Sequence, residues 1–335
     1  MIDTLKIDAF LNARANKPGV SRPALIAATD GNTYFLKGHF GTFKDGLTKL
    51  DAALAQEAFC YSLAKFLKIP TPDFVFIEVT NDDLSDFPQL RFENNITQAG
   101  IYLGIKEVKN LLTDELKLLL RELDYGAPGA QNKLNKLVAQ ISNKRDVPKI
   151  LYFDCLTANV DKYRNFDNIL LYRSNNGKTL LSIDFGYCFF GPYWNTREYY
   201  TTPGFEKIKL LQNNNPDNMW YGILLNSLGN NTILTETPVF KLLERLIDCK
   251  NSSNPFREIY SSTKLLNAAN LTTMLNYIPN EWFVGGTYQR NMYLQFILNQ
   301  VDNLPVFFDY LVSQNCFTNI SGGGLVWQDK NILSQ

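Results

Sequence analysis

The sequence contains a single histidine, His39, among its 335 residues. A Ser-His-Asp or Cys-His nucleophile system therefore has no histidine to use except His39, and a metal site built from several histidines is impossible. Any chemistry of this chain must rest on carboxylates, lysine, arginine or a metal ion held by oxygen ligands.

Cysteine is also scarce and poorly spaced for crosslinks or zinc binding. The chain has five cysteines, an odd number, and they form no Cys-x-x-Cys pair. This spacing argues against a disulfide framework and against a structural zinc site. We therefore expect buried, reduced thiols at the five positions, which are Cys60, Cys155, Cys188, Cys249 and Cys316.

Long apolar runs and an excess of one charge are missing as well. No stretch approaches the roughly 20 apolar residues that cross a bilayer, and the first residues, MIDTLKIDAFLNARANK, lack the apolar core of a signal peptide. Because 33 basic residues balance 33 acidic residues, no overall field attracts the chain to nucleic acid or anionic lipid. We expect a cytoplasmic protein without membrane insertion or direct nucleic-acid binding.

The first hundred residues alternate strand and helix patterns. Two apolar segments, 23–29 and 33–37, flank Asp30-Gly31, which is a strong hairpin signal. A helical pattern over 51–67 ends before the prolines of Ile-Pro-Thr-Pro, because proline cannot continue a helix. Further predicted elements are a buried strand over 74–79, a polar loop over 81–89 and an apolar stretch over 99–108.

Helical patterns dominate after about residue 108. Thr113, followed by two acidic residues, predicts a helix start, and Pro148 opens another helix. Two apolar segments, 168–172 and 179–183, flank a Ser-Asn-Asn-Gly turn and predict a second hairpin. We therefore predict an α+β fold of two lobes, a β-rich N-terminal lobe at 1–108 and a mainly helical C-terminal lobe at 109–335.

The segment from Phe153 to Gly186 contains the most informative group of polar residues. Asp161 follows a predicted helix, Asn168 begins a strand, and Asp184 starts an Asp-Phe-Gly motif at the end of the next strand. Phosphoryl transfer needs a carboxylate that accepts the proton of the attacking hydroxyl, and oxygen ligands for magnesium. It also needs a strand lysine that reaches the phosphates, and Lys37 lies on the first predicted hairpin.

Each of these motifs alone is usually only a turn. Their combination is different, because a helix, a loop and a hairpin bring Asp161, Asn168 and Asp184 to the loop ends of adjacent elements. This arrangement favours an ATP-dependent kinase that transfers the γ-phosphate to a hydroxyl group. Two alternatives stay open: a kinase for a small molecule or a lipid headgroup, and a nucleotide-binding pseudokinase that acts as a scaffold.

The chain resembles the HipA-like kinases, in their smaller, single-module branch. The resemblance is carried by GVSRPALIAATDGNTYFLKG, AQEAFCYSLAKFLKIPTPDFVFIEV, AGIYLGIKEV, FDCLTANVDKYRNFDNILLY and LLSIDFGYCF, which span about residues 19–189. It implies a protein-kinase-like fold, ATP with Mg²⁺, and phosphorylation of serine or threonine on a protein substrate. It also implies, as a partner, a cognate antitoxin or another regulatory protein.

The same resemblance assigns roles to individual residues. Asp161 would be the catalytic base, Asn168 and Asp184 would be the metal ligands, and Lys37 would contact the ATP phosphates. A loop over the phosphates would contain Gly19, Ser21 and Arg22, although a plain entry loop to the first strand remains an alternative.

Three further positions follow from comparison with the general kinase pattern. Glu57 on the predicted helix would pair with Lys37, or else face solvent. Glu107 and Val108 would meet adenine through their backbone at the junction of the lobes.

The loop after Asp161 departs from the kinase pattern. Six residues separate Asp161 from Asn168, whereas protein kinases have four between the corresponding aspartate and asparagine. Asn165 is therefore a competitor of Asn168 for the metal. The longer loop also suggests substrate contacts through Lys162 and Arg164.

Overall fold

The computed structural model describes residues 2–11, 21–194, 207–213, 218–229, 233–250, 254–321 and 324–327. Within these ranges, strands dominate up to Lys106 and helices dominate the remainder. This distribution confirms the predicted α+β class, with a β-rich N-terminal region and a mainly helical C-terminal region. The boundary between lobes at residue 108 stays a prediction.

Among the described residues, the N-terminal region has seven strands: β1 (Thr4–Leu11), β2 (Ala24–Ala28), β3 (Thr33–Lys37), β4 (Phe40–Phe43), β5 (Gly46–Lys49), β6 (Phe74–Val79) and β7 (Gly100–Lys106). Five of them form a closed barrel in the order β1-β2-β3-β7-β6, closed by parallel pairing of β1 with β6. The other two, β4 and β5, form a separate hairpin. In this order β3, which carries Lys37, lies between β2 and β7.

Local sequence explains the β2–β3 hairpin. Gly31 adopts a positive φ of 77° in the turn, a conformation that glycine enters without steric cost. The Asp30 carboxylate accepts hydrogen bonds from Asn32 and from the Tyr34 hydroxyl. This turn fixes the register in which Leu25 pairs with Phe35.

Strand β1 lies outside the elements that the sequence predicts. None of its residues is fully buried, so it lacks the continuous apolar run that marked the other strands. Its pairing with β2 and β6 nevertheless closes the barrel.

The described helices are α1 (Ala53–Phe66), α2 (Asn81–Asp86), α3 (Gln89–Phe92), α4 (Thr113–Asp124), α5 (Ala130–Gln140), α6 (Val147–Leu156), α7 (Lys207–Gln212), α8 (Asn218–Leu228), α9 (Pro238–Glu244), α10 (Arg257–Thr263), α11 (Ala268–Asn276) and α12 (Gly286–Ser313). The remaining strands are β8 (Ile169–Ser174), β9 (Gly177–Ser182), β10 (Cys249–Lys250) and β11 (Ile320–Ser321). Strands β8 and β9 form the second predicted hairpin. In the described part of the chain, no helix is both long and apolar enough to cross a bilayer.

The polar segment after β6 is helical, so the predicted loop over 81–89 is wrong. Thr80 caps α2: its hydroxyl accepts from the backbone of Asp83, whose carboxylate accepts in turn from the backbone of Thr80. This capping box satisfies the free amides of a short helix. The buried Leu84 and Leu90 then anchor the segment in the core of the N-terminal region.

Two hydrophobic clusters organise the interior. The smaller cluster contains buried side chains from one face of the barrel strands, including Leu36. The larger one joins α1 and the C-terminal helices to Phe76 and Leu103 on the barrel. Trp282, which follows α11, packs edge-on against Phe76 with ring centroids 5.5 Å apart. Helix α1 is therefore shared between the barrel and the helical region.

Three of the four described thiols are buried as expected, whereas Cys316 is not fully buried. Cys60, Cys155 and Cys188 are buried and free, and Cys316 is half-buried and free. The side chain of Cys249 lies outside the described residues.

Gly104 on β7 provides a test of barrel packing. A Cβ atom there would lie 2.8 Å from Cγ1 of Ile77 and 3.2 Å from Cγ2 of Val75. Gly104→Ala should therefore lower the free energy of unfolding by about 1–3 kcal/mol, measured by urea denaturation, because the new methyl overpacks the β6–β7 contact. The control is Gly222→Ala in α8, where a Cβ meets no described atom within 4 Å and should be neutral or stabilising. Equal stability of the two variants would contradict this packing.

Candidate active site

Three charged side chains from distant parts of the chain meet at the edge of the barrel. Nζ of Lys37 lies 2.6 Å from Oε1 of Glu57 and 3.0 Å from Oδ1 of Asp184. The side chains of Lys37 and Glu57 are only 12% and 3% exposed, whereas Asp184 is 31% exposed. The cluster is therefore buried on the helix side and open at Asp184.

The surrounding elements explain this meeting. Side chains alternate along a strand, and Leu36 belongs to the barrel cluster, so Lys37 faces the opposite side. Its cross-strand neighbour Leu103 packs in the large cluster with α1, and α1 supplies Glu57. Lys37 thus points toward the helix that supplies its partner.

Asp184 is held in a strained backbone conformation just after β9. Its φ is +59°, in the left-handed region that non-glycine residues seldom occupy. Such strain costs of order 1–3 kcal/mol and persists where surrounding structure enforces it, typically at functional sites. The enforced turn directs the Asp184 carboxylate to Lys37.

Charge and burial oppose each other in this cluster. Burial alone would lower the pKa of Lys37, but the carboxylates of Asp184 and Glu57 outweigh it and raise this pKa above its ordinary value. Burial also raises the pKa of Glu57 to about 7, although the charge of Lys37 opposes that rise. Because two carboxylates face it, Lys37 stays protonated and remains a cation at the edge of the barrel.

A second group of polar side chains surrounds Asp161, which follows α6. Oδ2 of Asp161 accepts hydrogen bonds from Nδ2 of Asn168 at 2.9 Å and from Nδ2 of Asn165 at 3.1 Å. Its backbone N–H donates to Oδ1 of Asn159. These contacts fix the orientation of a carboxylate that the loop alone would leave free.

The surroundings of Asp161 favour proton uptake. Burial, followed by the charge of Asp184, raises the pKa of Asp161, while its hydrogen bonds from Asn165 and Asn168 oppose the rise. A carboxylate with a raised pKa is a better proton acceptor than one at its ordinary value. Asp161 is therefore suited to general-base chemistry.

The hydrogen bonds also distinguish the two candidate asparagine ligands. Oδ1 of Asn165 accepts a hydrogen bond from the backbone N–H of Asp167 at 3.2 Å, and its Nδ2 donates to Asp161. Both polar atoms of the Asn165 side chain therefore already have partners within the loop. Asn168 uses its amide nitrogen toward Asp161, and its amide oxygen is the atom available for a cation. The contacts therefore favour Asn168.

The carboxylate of Asp184 and the amide oxygen of Asn168 are ligand types that Mg²⁺ prefers. Mg²⁺ is bound through one or two carboxylates or carbonyl oxygens and completes its shell with water and phosphate oxygens. Asp184 and Asn168 supply a carboxylate and an amide oxygen. Among the described residues there is no cluster of three or more Asp, Glu, His or Cys side chains for a metal, so a metal site enclosed by such ligands alone is not present there.

The suggestion that Lys162 contacts substrate is wrong, because its side chain is fully buried. Nζ of Lys162 lies 2.5 Å from Oδ1 of Asp154 and also contacts the hydroxyl of Ser182. The other oxygen of Asp154 accepts from the hydroxyl of Tyr163 at 3.0 Å. This buried cluster sits beneath the loop of Asp161, and the sequence offered no periodic signal for it.

Arg164 and the loop residue Asp167 face α4 instead. A guanidinium nitrogen of Arg164 lies 3.4 Å from Oδ1 of Asp124, and Asp167 pairs with Lys117. The loop after Asp161 is thus tied to α4 on one side and to the buried Lys162–Asp154 pair on the other.

The residues predicted to form a loop over the phosphates are Gly19, Ser21 and Arg22. Gly19 lies outside the described residues. Arg22 is exposed with a φ of +39°, and its carbonyl accepts from the amide of Asn94 at 3.1 Å. No described contact joins Arg22 or the half-buried Ser21 to the Lys37 cluster.

Just after β7, both the backbone and the side chain of Glu107 are hydrogen-bonded to Thr33 on the barrel. Its backbone N–H donates to the carbonyl of Thr33 at 2.9 Å, and its carboxylate accepts from the Thr33 hydroxyl at 2.7 Å. Val108, the next residue, is half-buried. Of the two, Val108 is therefore the better candidate for a backbone contact with a nucleotide base.

Two solved kinases are similar in structure to this chain. The Helicobacter pylori proinflammatory kinase CtkA shares 12% identity, with 90% of this chain and 99% of that chain covered and a TM-score of 0.35. A MAP kinase of Leishmania major shares 12% identity, with 98% of this chain and 89% of that chain covered and a TM-score of 0.24. No protein-family model matches the chain, nor does any curated protein.

Proposed function

We propose that this protein is an ATP-dependent phosphotransferase that moves the γ-phosphate to a hydroxyl group, with serine or threonine of a protein as the acceptor. The observation that carries the proposal is the contact of Lys37 with both Glu57 and Asp184. A strand lysine paired with a helix glutamate, beside a metal-binding aspartate, is the arrangement that positions ATP phosphates in protein kinases.

Asp161 supplies the second requirement, a base for the acceptor hydroxyl. In the transfer, the hydroxyl oxygen forms a bond to the γ-phosphorus as the bond to the β,γ-bridging oxygen breaks, and Asp161 takes the hydroxyl proton. ADP leaves with the bridging oxygen. The hydrogen bonds from Asn165 and Asn168 hold Asp161 in one orientation before the acceptor arrives.

The barrel offers an apolar surface for the nucleotide base. Leu25, Phe35 and Ile105 stand side by side in register on β2, β3 and β7, on the strand face that also carries Lys37. Adenine packs on such apolar faces, with its polar edge turned to backbone groups. Val108 follows β7, three residues after Ile105 in the chain.

Asp184 and Asn168 would hold Mg²⁺, which would neutralise charge on the phosphates. The cation Lys37 would share that task from the barrel side. The resemblance to HipA-like kinases supports a protein acceptor and a regulatory protein as partner.

The proposal is tested by incubating the protein with γ-labelled ATP, Mg²⁺ and cell lysate. We expect labelled protein with the wild type and only background with Asp184→Asn, because that variant loses the carboxylate beside Lys37. Asp82→Asn, at an exposed site on α2, is the control and should behave as wild type. A thermal shift with Mg-ATP measures nucleotide binding independently of transfer.

The other functions predict different results in the same experiment. Labelled lipids or metabolites without a labelled protein band would identify a small-molecule or lipid kinase. Absence of both labelling and an ATP-dependent thermal shift would refute phosphotransfer and favour a scaffold.

A further inference from the structure

Gln56, next to Glu57 on α1, has an unusually complete set of contacts. Its Nε2 donates to the carbonyls of Gly186 at 2.9 Å and Gly191 at 3.1 Å. Its Oε1 accepts from Nζ of Lys207 at 2.5 Å and from the Tyr293 hydroxyl at 2.8 Å. The side chain is fully buried, and its two donors and two acceptor positions are all used.

Lys207 completes the network from the start of α7. Besides Gln56, its Nζ contacts the carbonyl of Gly191 at 2.6 Å and lies 5.9 Å from the centre of the Tyr293 ring. No carboxylate of a described residue pairs with it, and burial lowers its pKa to about 7, although the charge of Asp51 opposes this shift. Its N–H groups reach the two oxygens beside it, Oε1 of Gln56 and the Gly191 carbonyl.

The two residues just before α1 hold the chain after Asp184 at two more points. The backbone N–H of Ala52 donates to the carbonyl of Pro192 at 2.9 Å, and the carboxylate of Asp51 accepts from the backbone N–H of Trp194 at 2.8 Å. The segment from Gly186 to Trp194, here called the post-Asp184 segment, is thus bonded near both of its ends to α1 or to the two residues before α1.

We propose that Gln56 and Lys207 are positioning residues that fix α1 against the post-Asp184 segment and so keep Glu57 and Asp184 together on Lys37. Neither residue touches Lys37. Gln56 acts because it is adjacent to Glu57 on one helix and bonds to Gly186, two residues after Asp184. Lys207 acts because it orients the Gln56 amide. The proposal rests on the phosphotransfer function proposed above.

Lys207→Met is the variant best suited to test this. After the change, Oε1 of Gln56 keeps the Tyr293 hydroxyl, and the Gly191 carbonyl keeps Nε2 of Gln56. Since no polar atom loses its last partner, the variant should fold. We expect phosphate transfer to fall roughly 3- to 30-fold, the range of typical couplings between linked residues.

A double-mutant comparison separates positioning from general destabilisation. If Lys207 acts through Glu57, Lys207→Met should change the rate of Glu57→Gln by less than about twofold, since the contact it protects is already lost. An equal fold loss in both backgrounds would overturn the proposal. Gln300→Leu in α12 is the control, because Gln300 is also buried but bonds to no described residue. It should keep the wild-type rate.

Hydrogen exchange gives a readout that does not depend on activity. In Lys207→Met, backbone amides of the first turns of α1 and of the post-Asp184 segment should exchange faster, while those of α6 stay unchanged. Unchanged exchange in these two segments would also overturn the proposal. If the wild type transfers no phosphate at all, the proposed function fails, and the exchange result still decides whether Lys207 holds α1.

Discussion

Asp161→Asn is expected to reduce phosphate transfer about 10²- to 10⁴-fold, the usual contribution of a general base, while Mg-ATP binding is retained. The variant keeps an oxygen that accepts from Asn165 and Asn168, so the shape of the loop is preserved. What it loses is the ability to take the hydroxyl proton. The rate is measured with γ-labelled ATP, and binding by the thermal shift that Mg-ATP produces.

Asp167→Asn is the matched control for this experiment. The side chain of Asp167 lies in the same loop but pairs with Lys117 on α4, and only the backbone N–H of Asp167, which the variant keeps, contacts Asn165. Its variant should transfer phosphate at close to the wild-type rate. A wild-type rate for Asp161→Asn would remove Asp161 from the mechanism, and a parallel loss in both variants would point to the loop as a whole.

Asp154→Asn is expected to lower the free energy of unfolding by about 3–5 kcal/mol, because it leaves the buried charge of Lys162 without its partner. Both side chains of the pair are 0% exposed, so water cannot replace the lost carboxylate. Asparagine keeps nearly the same size, which restricts the change to the charge. Urea denaturation measures the effect.

A second substitution tests the cause of that loss. Adding Lys162→Met to Asp154→Asn removes the unpaired charge and should recover most of the stability, since a buried ion pair often exchanges for apolar groups at little cost. The control is Asp124→Asn, which breaks the exposed pair with Arg164 and should cost less than about 1 kcal/mol. Wild-type stability of Asp154→Asn would show that the pair is not needed.

The sequence predicted those parts of the fold that local patterns specify. The β2–β3 and β8–β9 hairpins and the long helix α1 follow from turn residues and apolar periodicity, and all three are present. The segment over 81–89 was misjudged because its helix depends on one capping box and two buried leucines. Strand β1 was missed because its half-buried residues leave no run of apolar positions.

The residues of the candidate site also fall into those that the sequence could predict and those that it could not. Lys37, Asp161 and Asp184 lie in motifs, so their types and order were visible in the sequence. The roles of Gln56 and Lys207 depend on contacts across 151 positions of the chain, which no local pattern encodes. Lys162 was misplaced for a related reason: a lysine beside an exposed loop is normally solvated, and only its buried partner, Asp154, places it inside.

The sharing of α1 between the barrel and the helical region affects how the chain assembles. A fragment that ended at residue 108 would include α1 but would expose the apolar surface that packs against the helical region, where the Tyr293 hydroxyl donates to Gln56 on α1 and Trp282 packs against Phe76 on β6. Exposed apolar surface of that kind makes an isolated fragment prone to aggregate. The two regions are therefore expected to unfold as one cooperative unit. During synthesis, the Lys37–Glu57–Asp184 cluster could form only after the C-terminal helices had been translated and had packed against α1.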